Sequence, residues 1–202
     1  MNGLALAAVG SLFAPGRVDA AGSDAEPVLS ETGLHTQPWF LESFLELADD
    51  LAEAAGNGKR LAIMWEQEGC PYCRETHLVT LRIPEIRDYI KANFEVLQLD
   101  IHGSREVVDF DGTGLEERAL ARRNQARFTP TIQFFPDTLA EITGRVGKEA
   151  EVARMPGYFR PFHFLTMFQF VREKGYRDGD FRAFLEAKVK ALKATGKPLP
   201  SW

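Results

Sequence analysis

The feature that most restricts the fold of this sequence is a pair of cysteines, Cys70 and Cys73, in the stretch EQEGCPYCRETH (66–77). They are the only cysteines among 202 residues. They follow KRLAIMW (59–65), an apolar run typical of a buried strand, and Pro71 suits the first turn of a helix. A C-x-x-C between a strand and a helix is the usual placement of a redox pair.

Other uses of two cysteines fit this sequence less well. Haem attachment needs C-x-x-C-H, and residue 74 is Arg. A disulfide with a purely structural role would close too short a loop to restrict the unfolded chain much. A structural zinc site needs four ligands, usually with a second closely spaced pair. The histidines are scattered instead, so we expect no metal site: His35, His77, His102 and His163.

The N-terminal twenty residues resemble a secretory signal. The apolar run LALAAVGSLFA (4–14) precedes a small-residue cleavage pattern that ends at Ala20. No Lys or Arg comes before the apolar run, and a disordered Ala-rich terminus is the alternative. We expect a signal peptide over 1–20, a flexible lead-in over 21–35 and one domain over 36–195. Export would place the mature protein in an oxidising compartment.

Composition and charge exclude some classes of partner. The net charge is −5 and no long basic run occurs, so a nucleic-acid partner is not expected. No apolar stretch reaches the length that spans a bilayer, so stable membrane insertion is not expected either. Hydrophobic residues make up 45% of the chain, which is ordinary for a globular protein.

Hydrophobic periodicity predicts strands that alternate with helices. Such an order indicates an α/β fold with a mixed central sheet flanked by helices. Pro84 should break or kink the helix that begins at Pro71. The strands are expected at 59–65, 94–101, 129–135 and 139–147, with an inserted loop or hairpin at 102–114. The helices are expected from 36–38 to 56, from 71 past 84, and at 115–123, 156–175 and 181–193.

Three segments carry a resemblance to the thioredoxin fold over about residues 36–175. They are AIMWEQEGCPYC (62–73), LQLDI (97–101) and ARFTPTIQFF (126–135). The resemblance implies a thioredoxin fold with a short insertion before the third helix and an extra C-terminal helix. It also implies that Pro130 is cis and lies against the disulfide, and that the backbone of Thr129 pairs with a substrate.

The two cysteines are expected to divide the work of disulfide exchange. Cys70 would lie at a helix N-terminus, which favours the thiolate, and would act as the nucleophile. Cys73 lies one turn further on and would resolve the mixed disulfide. We expect substrate contacts from four neighbouring residues: Pro71, Tyr72, Thr129 and Pro130.

Three further residues are candidates for tuning the thiols: Trp65, Glu66 and His77. Thioredoxins hold a buried Asp six residues before the first cysteine, where this chain has Met64, so Glu66 is a candidate substitute. Glu68 is expected to be solvated in the loop. Trp65 is expected either beneath the active site or in the plain core. His77 is expected on the helix surface, with tuning of the thiols as the alternative.

A closer resemblance is to the SoxW family, the periplasmic thioredoxins of the bacterial sulfur-oxidation (Sox) system. It rests on EQEGCPYC, NFEVLQLDIHGSREVVDFDG (93–112), RFTPTIQFFP and VARMPGYFRPFHFLTMFQFV (152–171). CPYC is also the glutaredoxin pair, but the Gly-Gly of a glutathione site is missing after Pro130. Glutathione dependence is therefore not expected.

This second resemblance implies a periplasmic reductase whose redox-active disulfide is its only cofactor. Its substrates would be protein disulfides, with SoxYZ as the favoured target. Its electrons would come from a membrane thiol transporter of the CcdA/SoxV type. Two alternatives stay open. One is an oxidase or isomerase that uses the same cysteines at another redox poise. The other is a non-catalytic adaptor that binds partners through the cis-proline groove and a Phe-rich face (159–170).

Overall fold

The computed structural model describes residues 26–196 and 198–202, so the expected signal peptide lies outside the described residues. The strands are β1 (Val28–Leu29), β2 (His35–Thr36), β3 (Arg60–Glu66), β4 (Phe94–Asp100), β5 (Glu106–Val108), β6 (Gly114–Glu116), β7 (Thr131–Phe134) and β8 (Ala153–Pro156). The helices are α1 (Leu47–Gly56), α2 (Pro71–Leu78), α3 (Pro84–Asn93), α4 (Glu117–Arg123), α5 (Pro161–Arg172) and α6 (Phe181–Ala194).

The central sheet has the strand order β4-β3-β7-β8. β3 pairs parallel with β4 and antiparallel with β7, and β7 pairs antiparallel with β8. All seven residues of β3 are buried, as expected for a central strand covered on both faces. The predicted fold class, a thioredoxin fold with a mixed sheet flanked by helices, is confirmed.

Side chains of β3 alternate between two apolar layers, because successive residues of a strand point to opposite faces. Leu61, Ile63 and Trp65 pack with residues of α1 and α4. Ala62 and Met64 pack with residues of α3 and α5. Glu66 follows Met64 by two positions and therefore belongs to the α3 and α5 face.

The Phe-rich segment (159–170) contributes to the core. Phe168 of α5 packs edge-on against Phe94 and Phe134 of the sheet, with ring centroids 4.9 and 5.0 Å apart. The extra C-terminal helix is also confirmed. It is α6, and its Phe184 contacts Phe170 of α5 at 5.4 Å.

The insertion before α4 is a short antiparallel hairpin, β5 and β6. Two contacts hold the hairpin against the rest of the domain. Val107 is buried in the layer that holds α1 and α4, and Val108 bridges to Glu46 just before α1. The break at Pro84 is confirmed as well, since α2 and α3 are separate helices joined by a 3-10 turn at Thr80–Arg82.

The prediction of a helix from residues 36–38 was wrong for its first half. Leu45 has a φ of 65°, which a helix cannot accommodate, and α1 begins only at Leu47. The apolar residues that precede α1 lie in different environments. Phe40 packs on the α3 and α5 face, whereas Phe44 is 99% exposed. Their helical spacing therefore reflected no common face.

The prediction of a strand at 139–147 was also wrong. This segment forms 3-10 turns, and Gly144 and Gly147 both have positive φ, which interrupts an extended run. Ile142 explains the apolar signal, because it is buried in the layer with α1 and α4. β7 pairs instead with β8, which ends at Pro156, the first residue of the predicted 156–175 helix. α5 begins only at Pro161.

Candidate active site

The cysteine pair lies where the central strand passes into α2. Gly69 takes a φ of 70° in the turn, and Cys70 caps the helix with Pro71 as its first residue. Cys70 and Cys73 form a disulfide, and the backbone N–H of Cys73 donates to Sγ of Cys70 over 3.1 Å. In the reduced protein this N–H and the helix N-terminus would stabilise a Cys70 thiolate.

A second loop approaches the disulfide from β7. The peptide bond Thr129–Pro130 is cis, as the resemblance implied. The Thr129 hydroxyl lies 3.4 Å from Sγ of Cys70, and the Thr129 carbonyl oxygen lies 3.5 Å from the same sulfur. The structure thus brings Thr129, the residue before Pro130, into contact with Cys70, although the two are 59 positions apart in sequence.

An exposed aromatic surface lies beside the disulfide. Tyr72 is 59% exposed and stacks on Tyr158, with ring centroids 5.9 Å apart. Phe128 is 68% exposed and borders the same groove, together with Thr129 and Gly157. Phe128 and Tyr158 were not among the site residues predicted from the sequence. The signal for Phe128 was its place directly before the Thr-Pro pair.

A buried carboxylate and a buried imidazole lie beneath α2. Glu66 and His77 are 1% and 0% exposed, and Oε2 of Glu66 lies 3.0 Å from Nε2 of His77. The expectation that His77 lies on the helix surface was therefore wrong. The signal was available in the spacing, because His77 follows Cys73 by four residues and shares its face of α2.

The contact with Gln37 indicates which nitrogen of the His77 ring carries the proton. The amide nitrogen of Gln37 donates to the carbonyl oxygen of His77 at 3.3 Å and lies 3.1 Å from Nδ1 of its ring. Because an amide N–H can only donate, Nδ1 accepts and Nε2 carries the proton. His77 thus donates to the Glu66 carboxylate through Nε2.

Two more side chains border this pair. The Gln98 amide donates to Oε2 of Glu66 and, at 2.6 Å, to the backbone oxygen of His35. Burial, followed by the nearby His77 ring and the Arg74 guanidinium, lowers the pKa of the His35 imidazole, and Glu66 partly opposes this. In the described chain, the second Glu66 oxygen, Oε1, is buried without a hydrogen-bond partner.

Trp65 belongs to the plain core. Its side chain is fully buried in the layer with α1 and α4, on the sheet face opposite Glu66. Its indole Nε1 donates to the Gln133 side chain at 2.5 Å. Glu68 is exposed in the loop, as expected. Over the described ranges, the structure shows no cluster of three or more metal-ligating side chains and no helix suited to crossing a membrane.

Comparison with known proteins gives one family match and several similar structures. The model of a thioredoxin-like domain matches residues 47–172, which include both cysteines and Pro130. Curated proteins gave no match.

The first similar structure is a thioredoxin-fold protein from Helicobacter pylori, at 22% identity and a TM-score of 0.52; the match covers 67% of this chain and 87% of that one. Another is a thioredoxin from Thermus thermophilus, at 25% identity and a TM-score of 0.49; the match covers 67% of this chain and 90% of that one. A thioredoxin h from poplar has 14% identity and a TM-score of 0.43; the match covers 65% of this chain and 94% of that one. The Helicobacter structure supports the fold.

Proposed function

This chain belongs to the thioredoxin-like domain family, and we propose that it is a periplasmic thiol–disulfide oxidoreductase that reduces disulfides of partner proteins. The observation that carries the proposal is the placement of the Cys70–Cys73 disulfide. It lies at the N-terminus of α2 and in contact with the residue before a cis proline.

The reaction would proceed through a mixed disulfide. The Cys70 thiolate attacks one sulfur of a target disulfide, forms a new S–S bond and releases the other target sulfur as a thiolate. Cys73, once deprotonated, attacks Sγ of Cys70 and releases the second target sulfur. The target gains two electrons, and the protein is left with the Cys70–Cys73 disulfide.

The aromatic groove supports a protein substrate rather than a small thiol. Tyr72, Tyr158 and Phe128 give an apolar surface next to Cys70, where an unfolded or extended segment would find side-chain contacts. Thr129 borders the groove at its cysteine end, where its backbone would pair with such a segment. Contacts from Pro71 and Pro130 complete the proposed substrate site.

The Sox pathway is the proposed setting. The support is the sequence resemblance to the SoxW family, which extends through β5 of the hairpin insertion and through α5. SoxYZ is the proposed target, and a membrane transporter of the CcdA/SoxV type is the proposed electron donor. Periplasmic location rests on the signal-like residues 1–20.

Trapping in cells tests this proposal. We expect Cys73→Ser, produced in the periplasm of a sulfur-oxidising bacterium, to accumulate disulfide-linked complexes that contain SoxYZ, because Cys70 attacks and nothing resolves the bond. The complexes are read on non-reducing gels and identified by mass spectrometry. The matched control is Cys70→Ser with Cys73→Ser, which should give none. Absence of complexes from the single variant would count against an exchange enzyme and favour the adaptor.

A further inference from the structure

A buried glutamine on β7, Gln133, has no role in the exchange steps just described. Its side chain is fully buried on the sheet face that packs against α1 and α4, beside apolar residues such as Trp65. Its Oε1 accepts from the Trp65 indole at 2.5 Å. Its Nε2 donates to the side chains of Asn124 and Glu151 at 3.1 and 2.8 Å. Both ends of the amide are therefore hydrogen-bonded, which compensates the cost of burying it.

The three partners of Gln133 lie on three chain segments that lead into the candidate active site. Trp65 precedes the cysteine turn, and Asn124 precedes the segment 125–130, which we call the cis-proline loop. Glu151 precedes β8, which ends beside the aromatic groove. Each partner lies five positions before a residue that borders the site: Cys70, Thr129 and Pro156. One side chain thus joins the segments that carry the nucleophile and two sides of the substrate groove.

Arg154 of β8 holds the start of the cis-proline loop from a second side. Its guanidinium donates to the backbone oxygens of Asn124 and Gln125 at 2.6 and 3.1 Å, and it pairs with Glu151 at 2.8 Å. Gln125 has a φ of 52°, a left-handed conformation that is unfavourable for a residue with a side chain. Contacts with β7 and β8 therefore hold the turn from which the cis-proline loop starts.

We propose that Gln133 is a positioning residue that sets the distance between Cys70 and the cis-proline loop, and with it the width of the substrate groove. This inference rests on the proposed function and adds a residue that acts on substrate binding. Thr129 lies only 3.4 Å from Sγ of Cys70, so a small displacement of the loop would open that contact. Among the described residues, the hydrogen bonds of Gln133 reach neither cysteine, so the thiol chemistry itself should not depend on it.

The chemistry of the amide explains why a polar side chain suits this role. Apolar contacts are not directional, so an apolar residue at position 133 would allow its neighbours to shift slightly. Any shift around Gln133 leaves a buried donor or acceptor without its partner, and that is costly. A fully bonded buried network therefore specifies one arrangement of the segments that it joins.

The test compares a large disulfide with a small one. Insulin turnover with dithiothreitol as electron source gives kcat and KM for a substrate that occupies the groove. The reaction of the reduced protein with hydroxyethyl disulfide, quenched with acid and analysed after thiol alkylation, gives the rate of attack by Cys70 alone. A wild-type protein that reduces no insulin would contradict the proposed function, whereas the variants compared with an active wild type test Gln133.

Gln133→Met keeps the length of the side chain and removes its hydrogen bonds. We expect KM for insulin to rise by about 10-fold or more, because an ångström of misplacement can cost up to about 10²-fold. The kcat for insulin and the rate with hydroxyethyl disulfide should change less than about threefold, since the interaction lost is one of binding. Phe168→Ala, a core variant on the other face of the sheet, is the control and should leave KM unchanged. Circular dichroism verifies that both variants are folded at the assay temperature.

Arg154→Met is the second variant, and it keeps the proposal testable if Gln133→Met does not fold. The Arg154 side chain is 14% exposed, so its replacement leaves the core packing in place. It should also raise KM for insulin, and Arg154→Lys should have a smaller effect, because lysine keeps the charge but lacks the planar fork. Folded variants with the KM of wild type would overturn the proposal. Equal slowing with both disulfides would also overturn it, because the network would then support the whole fold.

Discussion

Cys70→Ser is expected to lower the turnover of protein disulfide reduction by about 10³-fold or more, to the rate of the chemical reductant alone. The reason is that Cys70 lies at the helix N-terminus and in contact with Thr129, where a substrate can reach it. A serine hydroxyl is not ionised at neutral pH and does not attack a disulfide. The measurement is reduction of insulin by the protein with dithiothreitol as electron source.

Cys73→Ser provides the matched comparison for that result. It keeps the nucleophile, so it should react once and then stall as a mixed disulfide with insulin. The two variants thus lose turnover for different reasons, and only Cys73→Ser should yield a covalent complex. Turnover close to wild type in Cys70→Ser, with the fold intact, would show that the roles of the cysteines are assigned incorrectly.

Phe168→Ala is expected to lower the free energy of unfolding by about 3–5 kcal/mol. Phe168 is buried and packs edge-on against Phe94 and Phe134, so truncation leaves a cavity between α5 and the sheet. Each lost aromatic pair adds to the cost of the lost apolar contact. Urea denaturation followed by circular dichroism measures the change.

Phe128→Ala is the control for that variant, because Phe128 is exposed at the edge of the groove. Its free energy of unfolding should stay within about 0.5 kcal/mol of wild type. The pair also tests the adaptor alternative, in which the Phe-rich segment would bind partners. A Phe168→Ala variant with wild-type stability and weakened partner binding would support the adaptor and contradict the assignment of α5 to the core.

Local signals in the sequence were sufficient for the redox site. The cysteine spacing, the preceding apolar strand and Pro71 all report on neighbouring residues, so Cys70 and Cys73 could be placed before the fold was known. The cis proline came through the resemblance rather than from any property of Thr129 and Pro130, because most X-Pro bonds are trans.

The buried pair of Glu66 and His77 beneath α2 could not be predicted from local sequence signals. The environment of the pair depends on Gln37, which contacts His77 from 40 positions away in sequence, and on Gln98, which contacts Glu66 from 32 positions away. No local pattern indicates such contacts. The prediction of a first helix from residues 36–38 was wrong for a related reason. Leu45 has a positive φ, and the chain there passes from the layer that contains Phe40 to the layer that contains α1.

The most direct test of the central claim is the reduction potential of the Cys70–Cys73 pair. The oxidised and reduced protein is equilibrated in dithiothreitol or glutathione buffers of defined potential, and the two forms are separated after thiol alkylation. A reductant of partner disulfides requires a value near that of thioredoxin, about −270 mV. A value near about −120 mV, typical of an enzyme that introduces disulfides, would contradict the proposed direction of electron flow.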